Sequence, residues 1–157
     1  MDGRIALRLI VASAAIFMAG CGQASVPAAA ALVFQGAPAL TVASASGQLS
    51  IGIWWSPAQP TVGYDATQLA ITDSTGAPVT GLTLTIIPWM PAHGHGASVE
   101  PTVSETAPGI YVATPLDFFM AGNWELMTSI ARSTDGGADA DSAGSLNDSA
   151  DPTVEVP

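Results

Sequence analysis

From Leu40 onward, apolar and polar residues alternate in short runs separated by turn-formers. In "TVASASGQLSIGIWW" a first run leads to a turn at Gly47, after which Leu49, Ile51, Ile53 and Trp55 fall at every second position. "TQLAITD" places Leu69 and Ile71 on one side. "GLTLTIIPW" alternates Leu82, Leu84 and Ile86 against Thr83 and Thr85. "GIYVAT" alternates again, and "NWELMTSIA" sets Trp124, Leu126, Thr128 and Ile130 against Glu125, Met127 and Ser129. A strand sends successive side chains to opposite faces, so each run has one apolar face to bury. In "DSTGAPV", Gly76 is free to take a positive φ and Pro78 restricts the exit, which is turn chemistry. No run repeats with the helical period, and β-branched and aromatic residues dominate. Half-buried strands spaced about 10 residues apart predict an all-β antiparallel sandwich or small barrel. The same alternation splits Trp54 from Trp55 and Phe118 from Phe119, one of each pair facing in. It also sends Trp124 into the core, with Tyr111 expected nearby.

The first residues follow another pattern. Arg4 and Arg8 precede an apolar run from Leu9 to Ala19 that is too short to span a bilayer, and small residues follow. This is the layout of a secretory signal peptide over residues 1–20, and the only predicted helix lies there. "FMAGC" resembles a bacterial lipobox, with Met18 where that pattern more often has Leu, so Cys21 is expected to become the lipidated first residue of the mature chain. No second cysteine exists, which excludes a disulfide. Residues 21–38, small and broken by Pro and Gly, read as a tether from the anchor to a domain at 39–132, within which "AAAALVF" could dock on the domain or form a helical turn. The expected address is the cell envelope. Gly22 rather than Asp after the cysteine favours the periplasmic face of the outer membrane, with the inner membrane or the cell surface as the alternatives.

Charge narrows the partners. Of three basic residues, Arg4 and Arg8 lie in the leader. Of thirteen acids only Asp2 does, leaving Arg132 against twelve acids. Such a surface repels phosphate backbones, which argues against nucleic acid, and attracts cations. Residues 133–151, "STDGGADADSAGSLNDSAD", hold five aspartates, no aromatic residue and no Val or Ile, and are expected to be an acidic mobile loop. Asp139 and Asp141 lack the spacing of an EF-hand calcium loop. "PTVEVP", residues 152–157, alternates Val154 and Val156 and reads as a closing strand beside the Trp124 strand.

Two longer stretches, "DSTGAPVTGLTLTIIPWMPAHGHG" and "GIYVATPLDFFMAGNWELMTSI", resemble the YtkA-like domain family, which is related to FixH-like domains. The landmarks are Gly76 and Pro78, Met90-Pro91 ahead of His93-Gly94-His95, Gly109 with Tyr111, and Met120, Gly122 and Trp124. The resemblance runs from about residue 45 to residue 131, with Thr153–Val156 as the final strand. It implies an immunoglobulin-like β-sandwich outside the cytoplasmic membrane, and some relatives lie near copper-handling functions. The insertion from Ser133 to Asp151 departs from the compact hairpin expected there.

"MPAHGHG", residues 90–96, uses both histidines of the chain. In an extended segment residues i and i+2 point the same way, so His93 and His95 can aim at one point. Met90 adds a thioether, and Met120 is the candidate fourth ligand. Imidazole with thioether suits copper, above all Cu(I), whereas zinc rarely takes a thioether. Glu100, Glu105 or Asp117 would complete a harder site. The competing reading is a plain loop, with Met90 plugging the sandwich end beside Trp89. Catalysis is not expected: there is no free cysteine after lipidation, no nucleophile elbow, no phosphate loop and no lysine. The expectation is therefore a lipid-anchored domain that stores copper or exchanges it with a donor or acceptor protein. The alternative is a non-catalytic interaction module without metal.

Overall fold

The structure is a computed structural model that describes residues 31–132 and 145–157. The leader, Cys21 and residues 133–144 lie outside the described residues. Ten strands follow in chain order: β1 (Leu40–Ala43), β2 (Leu49–Ser56), β3 (Gly63–Asp73), β4 (Thr83–Met90), β5 (His95–Gly96), β6 (Thr102–Ala107), β7 (Ile110–Phe118), β8 (Gly122–Arg132), β9 (Leu146–Ala150) and β10 (Thr153–Val156). One sheet has the order β1-β2-β3-β7-β6 and the other β10-β8-β4-β5, with β9 also pairing β8. All pairings are antiparallel. The fold is a β-sandwich, as the alternation predicts.

The period-two runs fill the space between the sheets. Leu49, Ile51, Ile53 and Trp55 face Leu84, Ile86, Leu126 and Ile130 in one buried cluster, closed by Trp124, Phe118 and Met90. Trp55 and Phe118 point in while Trp54 and Phe119 do not. Val154 pairs with Trp124, so β10 closes the sheet where "PTVEVP" was expected to.

The two ends of the sandwich differ. One end collects the β2–β3 loop, the short β7–β8 connection and the turn after β4, and is called here the hairpin end. At the far end Tyr111, 1% exposed, donates its hydroxyl to Val79 O (2.9 Å) and accepts from Leu82 N–H (3.1 Å). Tyr111 therefore pins the crossover between the sheets and does not neighbour Trp124 as expected. Glu105 accepts from the backbone of Gly81 (2.9 Å) and Gly109 (3.0 Å), bonds that hold its carboxyl below the usual range. Gly109 has φ +71°, and a Cβ there would stand 2.7 Å from the Pro78 side chain and 3.0 Å from Ile71 O, so no other residue fits this turn.

Two segments outside the clearly alternating runs are held against the sheets. Along β2, Ala39 N–H donates to Ile53 O (2.8 Å), Trp54 Nε1–H to Gly36 O (3.0 Å) and Val33 N–H to Ser56 Oγ (3.2 Å). The described part of the tether thus lies on the sheet, running toward Ser56 and the hairpin end. The expected acidic loop also ends early, because Leu146–Ala150 forms β9. Its short apolar content hid it. What secures it is polar: Asp148, 8% exposed, accepts from Ser46 N–H (3.0 Å), the Ser46 hydroxyl and Ser149 N–H (2.9 Å), and Ala45 N–H donates to Ser149 O (2.7 Å). Burial pushes this carboxyl up. The Ser44 and Ser46 hydroxyls and two backbone N–H groups outweigh it and bring it to about 2 from 3.8.

A carboxyl depressed in the folded state adds stability that is complete above its unfolded pKa and lost as pH falls through its folded one. Here the window runs from about pH 4 down to about pH 2, and the contribution is about 2 kcal/mol. Asp65, raised by burial against the hydrogen bonds of Thr61, acts with the opposite sign, but it is common to wild type and an Asp148→Asn variant. Urea unfolding at about pH 5 and about pH 2 should thus show the wild type losing about 2 kcal/mol more than Asp148→Asn. Parallel losses in the two chains would refute the clamp.

Candidate metal centre at the hairpin end

Along β4 the inward positions are Leu84, Ile86, Pro88 and Met90, with Trp89 facing outward. The chain then reverses over Pro91–Gly94. The N–H groups of His93 (3.1 Å) and Gly94 (2.9 Å) both donate to Met90 O, and Gly94 takes φ +68°. β5 returns beside β4 with Met90 opposite His95 and Trp89 opposite Gly96. Gly96 is needed here, since a Cβ would stand 3.0 Å from Pro88 O and 3.3 Å from the Trp89 ring.

Directly opposed residues on antiparallel strands present side chains to the same face. His95 therefore joins Met90 on the inner side of the sheet. Met90 is 1% exposed, its methyl 3.2 Å from where a Cβ on Gly122 would stand. His95 is half-buried, and its Nδ1 is fully buried with no hydrogen-bond partner. His93 is exposed in the turn, its ring centre 5.5 Å from that of His95. Strand alternation was the reason to expect the two rings together. The structure brings them together by the turn instead, because His93 precedes the strand.

On its other side the His95 ring lies 5.3 Å from Phe119, tilted 32°. Phe119 stands edge-on to Trp124 at 5.1 Å, and Phe118 lies 5.4 Å from Trp124. Trp124 Nε1–H donates to Met120 O (3.0 Å), which fixes the β7–β8 connection, and the Met120 side chain packs at the edge of the core. Phe119 is the member of this cluster that the sequence did not mark. Its only signal was adjacency to inward Phe118, which makes it outward without naming what it meets.

The structure gives none of Glu100, Glu105 and Asp117 a place in a cluster with the two histidines. Glu105 serves the far end, Asp117 pairs with Tyr64 on the other sheet, and Glu100 is exposed. Among the described residues no three His, Cys, Asp or Glu side chains come together. The donors in one neighbourhood are two imidazoles and the thioether of Met90, with Met120 along the adjoining connection. An ion about 2 Å from an imidazole nitrogen lies about 3 Å from the ring centre. Two rings with centres 5.5 Å apart can therefore share one ion at a bent angle. A buried imidazole nitrogen without a partner costs about 1–3 kcal/mol, which coordination would remove.

The model of the YtkA-like family matches residues 46–129, more than half of the chain. The chain belongs to the YtkA-like family. No curated protein and no solved structure matches it. The YtkA-like match takes in Met90, His93, His95, Met120 and Trp124, whereas β1, β9 and β10 lie outside the matched span. The YtkA-like domain thus includes the whole hairpin-end cluster.

Proposed function

We propose that this protein is a lipid-anchored domain of the cell envelope that binds one soft metal ion, Cu(I), for storage or transfer. Met90, His93 and His95 are the ligands and Met120 the fourth. The observation that carries this reading is the buried, unpartnered Nδ1 of His95, opposite Met90 and beside the exposed ring of His93. Thioether with imidazole favours Cu(I), and among the described residues no third His, Cys, Asp or Glu side chain joins the two histidines to make the set zinc would prefer. Exposed His93 is the natural entry and exit ligand, and inward Met90 the retaining one. The anchor reading rests on "FMAGC" and Cys21, and the role is binding rather than catalysis.

Thermal unfolding separates the metals. Cu(I) under anaerobic reducing conditions, at a free concentration about one hundred times the dissociation constant, adds about 2.7 kcal/mol to the folded state. For a domain of this size that raises Tm by roughly 8–10 °C. Zn(II) at the same concentration is expected to leave Tm within about 2 °C. Equal shifts with both ions, or none with either, would reject the copper reading and favour an interaction module.

A further inference from the structure

The exposed large apolar side chains are not scattered. Among the described residues they are Leu32, Val33, Val62, Tyr64, Phe119 and Met127. Only Met127 stands apart, midway along β8. Leu32 and Val33 lie beside Ser56, where β2 ends. Gly63 pairs with Phe118 and Tyr64 with Asp117, and one further step of this register sets Val62 opposite Phe119. Tyr64 is 70% exposed. All five surround the hairpin end, and Phe119 also touches His95.

The described chain also begins there. Ala31 lies two residues before Val33, whose N–H is bonded to Ser56. From Ala31 back to Cys21 the chain spans at most about 35 Å when fully extended. The eleven-residue strands β3 and β8 are each about 35 Å long. To lay the far end on a membrane, the connecting chain would have to run fully extended along the whole domain. Laying the hairpin end there needs no such extension.

We infer that the hairpin end faces the membrane that holds the anchor, with Leu32, Val33, Val62, Tyr64 and Phe119 resting on the lipid interface. This rests on the lipid anchor proposed above at Cys21. An aromatic ring with a polar tip among aliphatic side chains suits the interfacial layer of a bilayer. Asp117 and Glu155 stand at the same end, while Arg132, the one basic side chain of the described residues, bonds Thr80 O at the far end. The matching surface is therefore zwitterionic rather than anionic lipid. His93 then opens toward the membrane, so metal exchange takes place with a site held at the membrane surface and not in the bulk.

The test uses the full chain, expressed and processed in cells and reconstituted into phosphatidylcholine vesicles with brominated acyl chains. Bromine quenches tryptophan emission at short range. Tyr64→Trp and Val62→Trp report the hairpin end and Thr80→Trp the far end, each read against the wild type's own tryptophans. The added emission at positions 64 and 62 is expected to be quenched at least about threefold more than at position 80, given interfacial burial of 5–10 Å. Flotation of the chain with the vesicles reads the anchor separately. A chain that does not float overturns the anchor reading and this inference with it. A chain that floats, with positions 62, 64 and 80 equally quenched or unquenched, overturns the orientation alone and leaves the apolar end to a protein partner.

Discussion

Replacing Trp124 by alanine is expected to lower the unfolding free energy by about 3–5 kcal/mol. Its side chain is fully buried and is the largest such side chain among the described residues. Phe118 and Phe119 pack against it at 5.4 and 5.1 Å, and its indole N–H is bonded to Met120 O. Truncation removes the apolar contact area, leaves a cavity that strands from both sheets border, and strips a carbonyl of its donor. Trp124→Phe keeps most of the ring and loses the hydrogen bond, so it should cost less, about 1–2 kcal/mol. Urea unfolding followed by far-ultraviolet circular dichroism reads both variants without relying on tryptophan emission. A loss below about 1 kcal/mol for Trp124→Ala would mean that the hairpin end is not organised around this side chain.

The same residue ties stability to the site. Trp124 supports Phe119, Phe119 lies on His95, and the Met120 carbonyl is held by the indole. The imidazole therefore rests on Phe119, a partly exposed ring of the β7–β8 connection that buried Trp124 backs from the core.

Most of the sandwich was legible in the chain because burial on one face imposes period two. Leu49 to Trp55 and Trp124 to Ile130 alternate cleanly, and the faces they predict are the faces observed. Legibility stopped where hydrogen bonds rather than apolar area hold the structure. β9 has Leu146 and Ala150 as its apolar residues, and its place is set by Asp148 meeting the turn before β2, 102 residues away. A carboxylate that accepts serine and backbone bonds has no sequence signature distinct from a solvated one. The docking of the segment before β1 rests on comparable bonds between distant segments, among them Trp54 Nε1–H to Gly36 O. At the site, residue type and spacing singled out Met90, His93 and His95, but the mechanism was a hairpin turn, not a straight strand. Alternation alone puts Tyr111 and Trp124 in one core without saying which end of the sandwich each occupies. The Tyr111 hydroxyl satisfies backbone groups at the far end.

The claim that matters most is that Met90, His93 and His95 bind Cu(I), and a competition titration tests it most directly. The protein is titrated with Cu(I) against a chromophoric chelator of known affinity, beside a His93→Ala/His95→Ala double variant. His93 is exposed and His95 half-buried, so the variant should remain folded, which its cooperative unfolding in urea would confirm. Loss of groups that only orient a metal ligand weakens binding by about 10–100-fold, so loss of two ligands should weaken it by at least about a hundredfold. The expected result is one Cu(I) taken from the chelator per wild-type chain and none by the folded variant. Equal competition by both chains, or by neither, would contradict a copper site at the hairpin.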